Sequence, residues 1–176
     1  MENNIMCGSA CVKYILNINN IKSNNINNKM FWISELAISL FDNNVKNIQL
    51  KCFNSTLYND YINKKIDGKD FSGFYFLDEV LKRTIKISQS ILNSSSLKKE
   101  ILENKYIIMC VQSNIFNNNN KMSGGHFIII NKIIDKDNVE IINPIKNKYE
   151  NKLINITKLL LCCKDYGSWR ILIKEI

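Results

Sequence analysis

Apolar positions change their rhythm near residue 105. Before it, Cys11, Tyr14 and Ile15 recur at helical spacing behind the small residues Gly8, Ser9 and Ala10, which predicts a tightly packed helix from Cys7 to about Asn17. Asn17 to Lys29 is Asn-rich, of low complexity, and reads as a loop. Phe31, Trp32, Ile33, Leu36, Ala37, Leu40 and Phe41 then have the spacing of an amphipathic helix, with Ser34 or Asn28 as candidate caps. A short strand is expected at Asn47 to Phe53. Helices are expected at residues 55–66 and 75–92, about a turn at Asp67-Gly68-Lys69, and a polar helix from Ser94 to Asn104.

After Lys105 the apolar runs are Ile-rich and strand-length: Tyr106 to Gln112, His126 to Ile134, Asn138 to Ile142 and Trp169 to Lys174. Asp135-Lys136-Asp137-Asn138 is a hairpin turn between the second and third. The expected class is therefore α+β, with a helical first half and an antiparallel sheet in the second. The chain has 176 residues, 45% of them apolar, and no repeat or linker divides it, so a single domain over 1–176 is expected.

Composition changes this picture little. The chain holds 30 Ile, 28 Asn and 22 Lys, all residues with AT-rich codons, so the formal charge of +8 reflects codon usage at least as much as a partner. Only two of the 24 basic residues are Arg, and no four basic residues are consecutive, so no nucleic-acid partner is expected. The apolar stretches around Ile107 to Val111 and Phe127 to Ile130 are far shorter than the roughly 20 residues of a membrane span. Met-Glu-Asn-Asn at the N-terminus lacks the basic and long apolar regions of a secretory signal, so a cytoplasmic protein with reduced thiols is expected. No metal is expected either: Cys7 with Cys11 and Cys162 with Cys163 are the close cysteine pairs, neither is matched by a second, and there is one His.

Chemistry enters through residues in a particular order. A cysteine at a helix N-terminus gains from unpaired backbone donors and the positive end of the helix dipole, both of which favour thiolate. Cys7 has that position. His126, the sole histidine, opens a strand, and Asn143 ends the return strand of its hairpin, which brings the two to the same end of an antiparallel pair. A thiolate attacks acyl carbons, an imidazole shuttles the proton, and an amide oxygen on the other ring nitrogen fixes the tautomer. Ser123, Gly124 and Gly125 form an uncrowded approach for substrate. Taken singly these residues are ordinary: a lone cysteine in a helix is a small buried hydrophobe, and Asn-Pro is a turn. Their conjunction assigns Cys7 as nucleophile, His126 as general acid and base, and Asn143 as its orienting partner.

Cys7-Gly8-Ser9-Ala10-Cys11, then Gly124-Gly125-His126-Phe127-Ile128-Ile129 and Ile141-Ile142-Asn143-Pro144, resemble the papain-like cysteine peptidases of the bacteriocin-processing, double-glycine leader type. There a Cys-Gly-x-Ala-Cys segment opens the catalytic helix, and a Gly-His strand is followed, at a spacing like the 17 residues here, by Asn or an acidic residue before Pro. The chain is also similar to the so-called guanylyl-cyclase-domain proteins, through Phe31 to Ala37, Tyr106 to Phe116, the His126 hairpin and Asp165-Tyr166-Gly167-Ser168. No cyclase activity is carried over, because paired metal-binding carboxylates and a phosphate-cradling loop are missing from the sequence.

The resemblance implies a papain-like fold, the triad Cys7, His126 and Asn143, and no cofactor. It departs at one place. These peptidases put a Gln six residues before the nucleophile to bind the oxyanion, and this chain has Met1 there. Asn3, Asn4 or Gln112 are the candidates to replace it, since losing one oxyanion donor costs roughly 2.7–4 kcal/mol. A more reactive acyl donor would relax that demand, as in the similar amide-forming homologues of thiotemplated assembly lines of the closthioamide type. The expected partners are therefore an acyl or peptidyl substrate, with an acidic carrier protein as its bearer, and an amine acceptor. Peptide hydrolysis is the alternative, and a non-catalytic papain-like binding module a further one.

Overall fold

The computed structural model describes residues 6–23, 26–30, 32–52, 63, 76–119, 124–145, 148–163 and 169–176. Helices α1 (Cys7–Ile18) and α2 (Ile33–Asp42) precede strand β1 (Asn47–Cys52), helix α3 (Leu77–Lys82), strand β2 (Lys86–Gln89) and helix α4 (Ser94–Glu103). Then follow β3 (Tyr106–Gln112), α5 (Ser113–Asn117), β4 (Gly125–Ile133), β5 (Asn138–Ile145), β6 (Lys148–Asn155), α6 (Ile156–Cys163) and β7 (Arg170–Glu175). The fold is α+β, with six described helices and one seven-stranded sheet in the order β2-β1-β7-β3-β4-β5-β6. Only β1 with β2 is parallel; every other neighbouring pair is antiparallel. Among the described residues, no helix is long and apolar enough to cross a membrane.

The sheet separates two apolar clusters. Ile108, Cys110, Phe127, Ile129, Ile142 and Ile171 face α1, α2 and α3. Ile107, Met109, Val111, Ile128, Ile141 and Leu172 face α4, α5 and α6. Helices on both faces explain why β3 and β4 read as continuous apolar runs: alternate residues point to opposite faces, and both faces are dry.

Several expectations need correction. Residues 75–92 do not form one helix. The last turn of α3 closes with Thr84 in the left-handed region (φ 58°) and Ile85 N–H on the Val80 carbonyl, after which Lys86 to Gln89 extend beside β1. Helices α1 and α2 end alike, with Asn20 (φ 55°) and Asn44 (φ 70°) left-handed and the N–H groups of Ile21 and Val45 returning to Leu16 and Leu40. Neither Ser34 nor Asn28 caps α2. Trp32 occupies that position, its N–H held by the Glu35 carboxylate at 3.0 Å; Ser34 is inside the helix, and Asn28 accepts from Lys13 Nζ. The sheet is not confined to the second half, since β1 and β2 join it. Helices α5 and α6 and strand β6 are additional to the elements that periodicity predicts. Phe31, all of the expected helix at 55–66 except Asn63, and the turn at Asp67-Gly68-Lys69 lie outside the described residues.

Strand β5 runs past Asn143 to Ile145, so Asn143 does not end it. Pairing with β6 continues through Asn143↔Glu150 and Pro144↔Tyr149, while pairing with β4 stops at Ile129↔Ile142. Continued by two residues, that register would set Phe127 against Pro144, which has no N–H to give. Proline is tolerated here because β5 is by then paired on one side only.

Candidate active site

Helix α1 begins where Met6 is extended and donates its N–H to Asn28 O at 3.0 Å. The first intrahelical bond returned to this start is Ala10 N–H to Met6 O, so backbone donors of the first turn surround Cys7. The segment from Asn27 to Met30, which overlaps the end of the expected loop Asn17 to Lys29, braces that start. Buried Ser9 donates to Asn27 O at 2.7 Å and accepts from Met30 N–H at 3.1 Å. At Gly8 an added Cβ would lie 2.9 Å from Met30 O, 3.0 Å from Leu36 Cδ1 and 3.1 Å from Phe127 Cδ2, so α1 approaches both the loop and β4 more closely than a side chain there permits.

Cys7 packs against the first apolar cluster, whereas His126, one residue from Phe127 along β4, points toward Phe116 of the second. They meet where β4 and β5 part. Phe127 N–H, beyond the end of the β4–β5 ladder, is donated to Cys7 Sγ at 3.4 Å, and the His126 side chain hydrogen bonds to the same thiol. On its other side His126 Nε2 is 2.7 Å from Asn143 Oδ1. An amide oxygen accepts, so Nε2 carries a proton and Nδ1 is left for the thiol. The register explains this meeting: Asn143 stands level with Ile128, two residues from His126 on the same face, within diagonal reach across an antiparallel pair.

Asn143 is 2% exposed, and its Nδ2 lies 3.5 Å from Glu150 Oε2. The Phe116 ring, from α5, sits 5.7 Å from the imidazole at 37° and is itself covered by Lys152 Nζ at 5.0 Å. Tyr149 donates its hydroxyl to Ala10 O at 3.1 Å, tying α1 to β6. These four were missed by sequence reasoning. Phe116 entered only as the end of the similar segment Tyr106 to Phe116, with no role, Glu150 carried no motif, and β6, which supplies Tyr149, Glu150 and Lys152, has polar and apolar residues too intermixed to announce a strand.

The electrostatics of the pair are reciprocal. Burial pushes the Cys7 thiol up, but hydrogen bonds from His126 and Phe127 N–H, the charge of His126 and the Gly8 N–H together more than offset it, leaving the thiol below its ordinary value. Burial likewise lowers His126, and its hydrogen bonds to Cys7 and Asn143 with attraction to Cys7 raise it above the ordinary imidazole value. Four other thiols go the opposite way. Burial pushes Cys110 up to about 12, and it raises Cys11, Cys162 and Cys163 as well, with nearby thiols adding to the effect at Cys11, Cys110 and Cys163.

Of the remaining expected site residues, Gly124 is left-handed (φ 88°) with nothing within 4 Å of where a Cβ would stand, and Gly125 begins β4 exposed. Both suit an open approach. Gln112 pairs with Gly125 and by strand alternation points to the face on which α1 packs. Asn3, Asn4, Ser123 and Asp165 to Ser168 lie outside the described residues. Among the described residues, no three His, Cys, Asp or Glu side chains converge as metal ligands would. No protein-family model, curated protein or solved structure matches the chain.

Proposed function

We propose that this chain is a papain-like cysteine acyl-transfer enzyme. The observation that carries the reading is the Cys7–His126–Asn143 relay: a helix-start thiol favoured as thiolate, hydrogen bonded to an imidazole favoured as imidazolium, which is held by a buried amide oxygen. Cys7 Sγ attacks the carbonyl carbon of a thioester or amide, and the C=O electron pair moves to oxygen. Collapse expels the thiol or amine with a proton from His126 and leaves an acyl group on Cys7. An amine acceptor then gives its proton to His126 as its nitrogen attacks, forming an amide and restoring the thiolate. The first-turn N–H groups of α1 and Gln112 are the donors proposed for the oxyanion, with Asn3 or Asn4 as the alternative from the N-terminal residues. No cofactor enters the scheme.

A carrier-bound acyl or peptidyl thioester is the donor we favour, because it demands less oxyanion stabilisation than a peptide, and a formal charge of +8 suits an acidic carrier. The hydrogen bond between His126 and Cys7 favours an enzyme over a binding module, in which the thiol would lie beyond hydrogen-bond reach of His126.

Two measurements test this. Iodoacetamide at mildly acidic pH should label Cys7 before any of the other cysteines, because its thiol is lowered while those of Cys11, Cys110, Cys162 and Cys163 are raised. Labelling should rise with pH as the thiol ionises, and turnover should fall again at higher pH as His126 loses its proton through a raised value, which widens the active range between the two limbs. Mass spectrometry of the protein with an acyl thioester and amines then separates the reactions: a Cys7 adduct with amide product supports transfer, and free acid supports hydrolysis. Cys7→Ala should abolish both, and His126→Ala should slow them about 10²–10⁴-fold. Preferential labelling of another cysteine would sink the assignment.

A further inference from the structure

We propose that Glu150 is a positioning residue for the relay: from the adjacent strand its carboxylate receives an amide N–H of Asn143 and thereby decides which end of that amide faces His126. This rests on the reading of Cys7, His126 and Asn143 given above. A carboxamide has nearly the same shape with its oxygen and nitrogen exchanged. Only the oxygen end accepts from Nε2–H; the nitrogen end would set two donors against each other and release the imidazole.

Nothing in Asn143 itself breaks that symmetry, and its burial means both ends need partners. Asn143 Oδ1 has His126 at 2.7 Å, and Nδ2 has Glu150 Oε2 at 3.5 Å. A carboxylate only accepts, so it can satisfy the nitrogen end and never the oxygen end. A hydroxyl or amide at 150, able to donate as well, would leave the choice open. The placement is built into the backbone, since Asn143 and Glu150 are direct partners in the β5–β6 ladder and so share a face. Glu150 is exposed on an edge strand, so replacing it opens no cavity.

Several charged or titratable groups surround this point. Cys7 on α1 and Cys110 on β3 flank His126, and Cys110 is neutral at any working pH. On β6, Lys148 and Lys152 stand on the same face as Glu150 on either side of it, Lys152 over the Phe116 ring, while Tyr149 turns to α1. α5 contributes Phe116, which does not titrate. Two lysines beside Glu150 blunt its charge at the imidazole, so acceptor geometry rather than net field is its contribution.

The test is the pH profile of Cys7 alkylation by iodoacetamide in the full chain, which needs no substrate. Glu150→Ala and Glu150→Gln should move the profile to higher pH and slow neutral-pH alkylation about threefold to tenfold, the size of one misdirected hydrogen bond. Their melting temperatures should stay at the wild-type value. In an Asn143→Ala background the same substitutions should add nothing, because Glu150 acts through Asn143. Glu150 variants with an unshifted profile, or a shift that persists without Asn143, overturn this inference while leaving the relay standing. A wild-type profile with no unusually reactive Cys7 overturns the relay and this inference together.

Discussion

At the scale of single residues, Gly8 shows how closely the Cys7 helix start is seated. Alanine there would gain about 0.5–1 kcal/mol of helix propensity. Its Cβ would also meet the Met30 carbonyl at 2.9 Å, a backbone atom tied down by the Met30 N–H bond to Ser9, with Leu36 and Phe127 close by. Overpacking of this kind costs about 1–3 kcal/mol, so crowding wins. Gly8→Ala should lower the denaturation midpoint and slow Cys7 alkylation together, as the helix start shifts by a few tenths of an ångström from Phe127 N–H. Unchanged stability with unchanged alkylation would show that the loop yields freely. Cys7, His126 and Asn143 were legible as residues, because a helix start, a lone histidine and an Asn-Pro each leave a local mark. Glu150 and Phe116 were not, since an exposed glutamate and a buried phenylalanine look the same in the sequence wherever they pack.

Among the elements, those with strong local signals stood where they were expected. The turn from Asp135 to Asn138 forms as its composition implies, with Asp135 Oδ1 accepting from the N–H groups of Asp137 and Asn138 at 2.8 and 2.9 Å. α4 occupies nearly its expected range, with Asn93 and Ser96 in a reciprocal cap. Residues 75–92 read as one helix because Leu77, Val80 and Leu81 have helical spacing, and one Thr in the left-handed region is enough to end it. Strand β6 went unrecognised because only its partner β5 makes it a strand. Its attachment to α1 can be measured: Tyr149→Phe deletes the hydroxyl bond to Ala10 O while keeping the ring beside Tyr14 at 4.8 Å. The loss should be about 0.5–1.5 kcal/mol in chemical denaturation, and no change would mean that ring packing alone holds α1 to β6.

Across the whole molecule, one buried ion cluster joins three parts of the chain. Arg170 on β7 is fully buried and holds Glu100 of α4 through Nε and Nη2, both at 2.6 Å, while Lys51 of β1 reaches Glu100 at 3.0 Å and Ser90 accepts from Arg170 at 2.6 Å. Glu100→Ala would strand the guanidinium in the core and should cost about 3–5 kcal/mol, read as a large drop in melting temperature. A small drop would mean that Lys51 and Arg170 reach solvent. The scarcity of Arg, first noted as a sign against nucleic acid, takes on a different meaning: Arg170 is spent inside the fold, and Arg83 pairs with Asp42 and Glu79 on its surface.

By itself the sequence determined the α+β class, the helix that begins at Cys7 and the hairpin that carries His126 and Asn143, and it singled out those three residues as candidates, because periodicity, caps and turns act over a few residues. Only the tertiary structure decided that β1 and β2 complete a sheet covered on both faces, that β4 and β5 part opposite Pro144 to admit the Cys7 thiol, and that Glu150 stands beside Asn143. Those outcomes depend on strand register and on contacts between residues up to 139 positions apart, which no local pattern encodes.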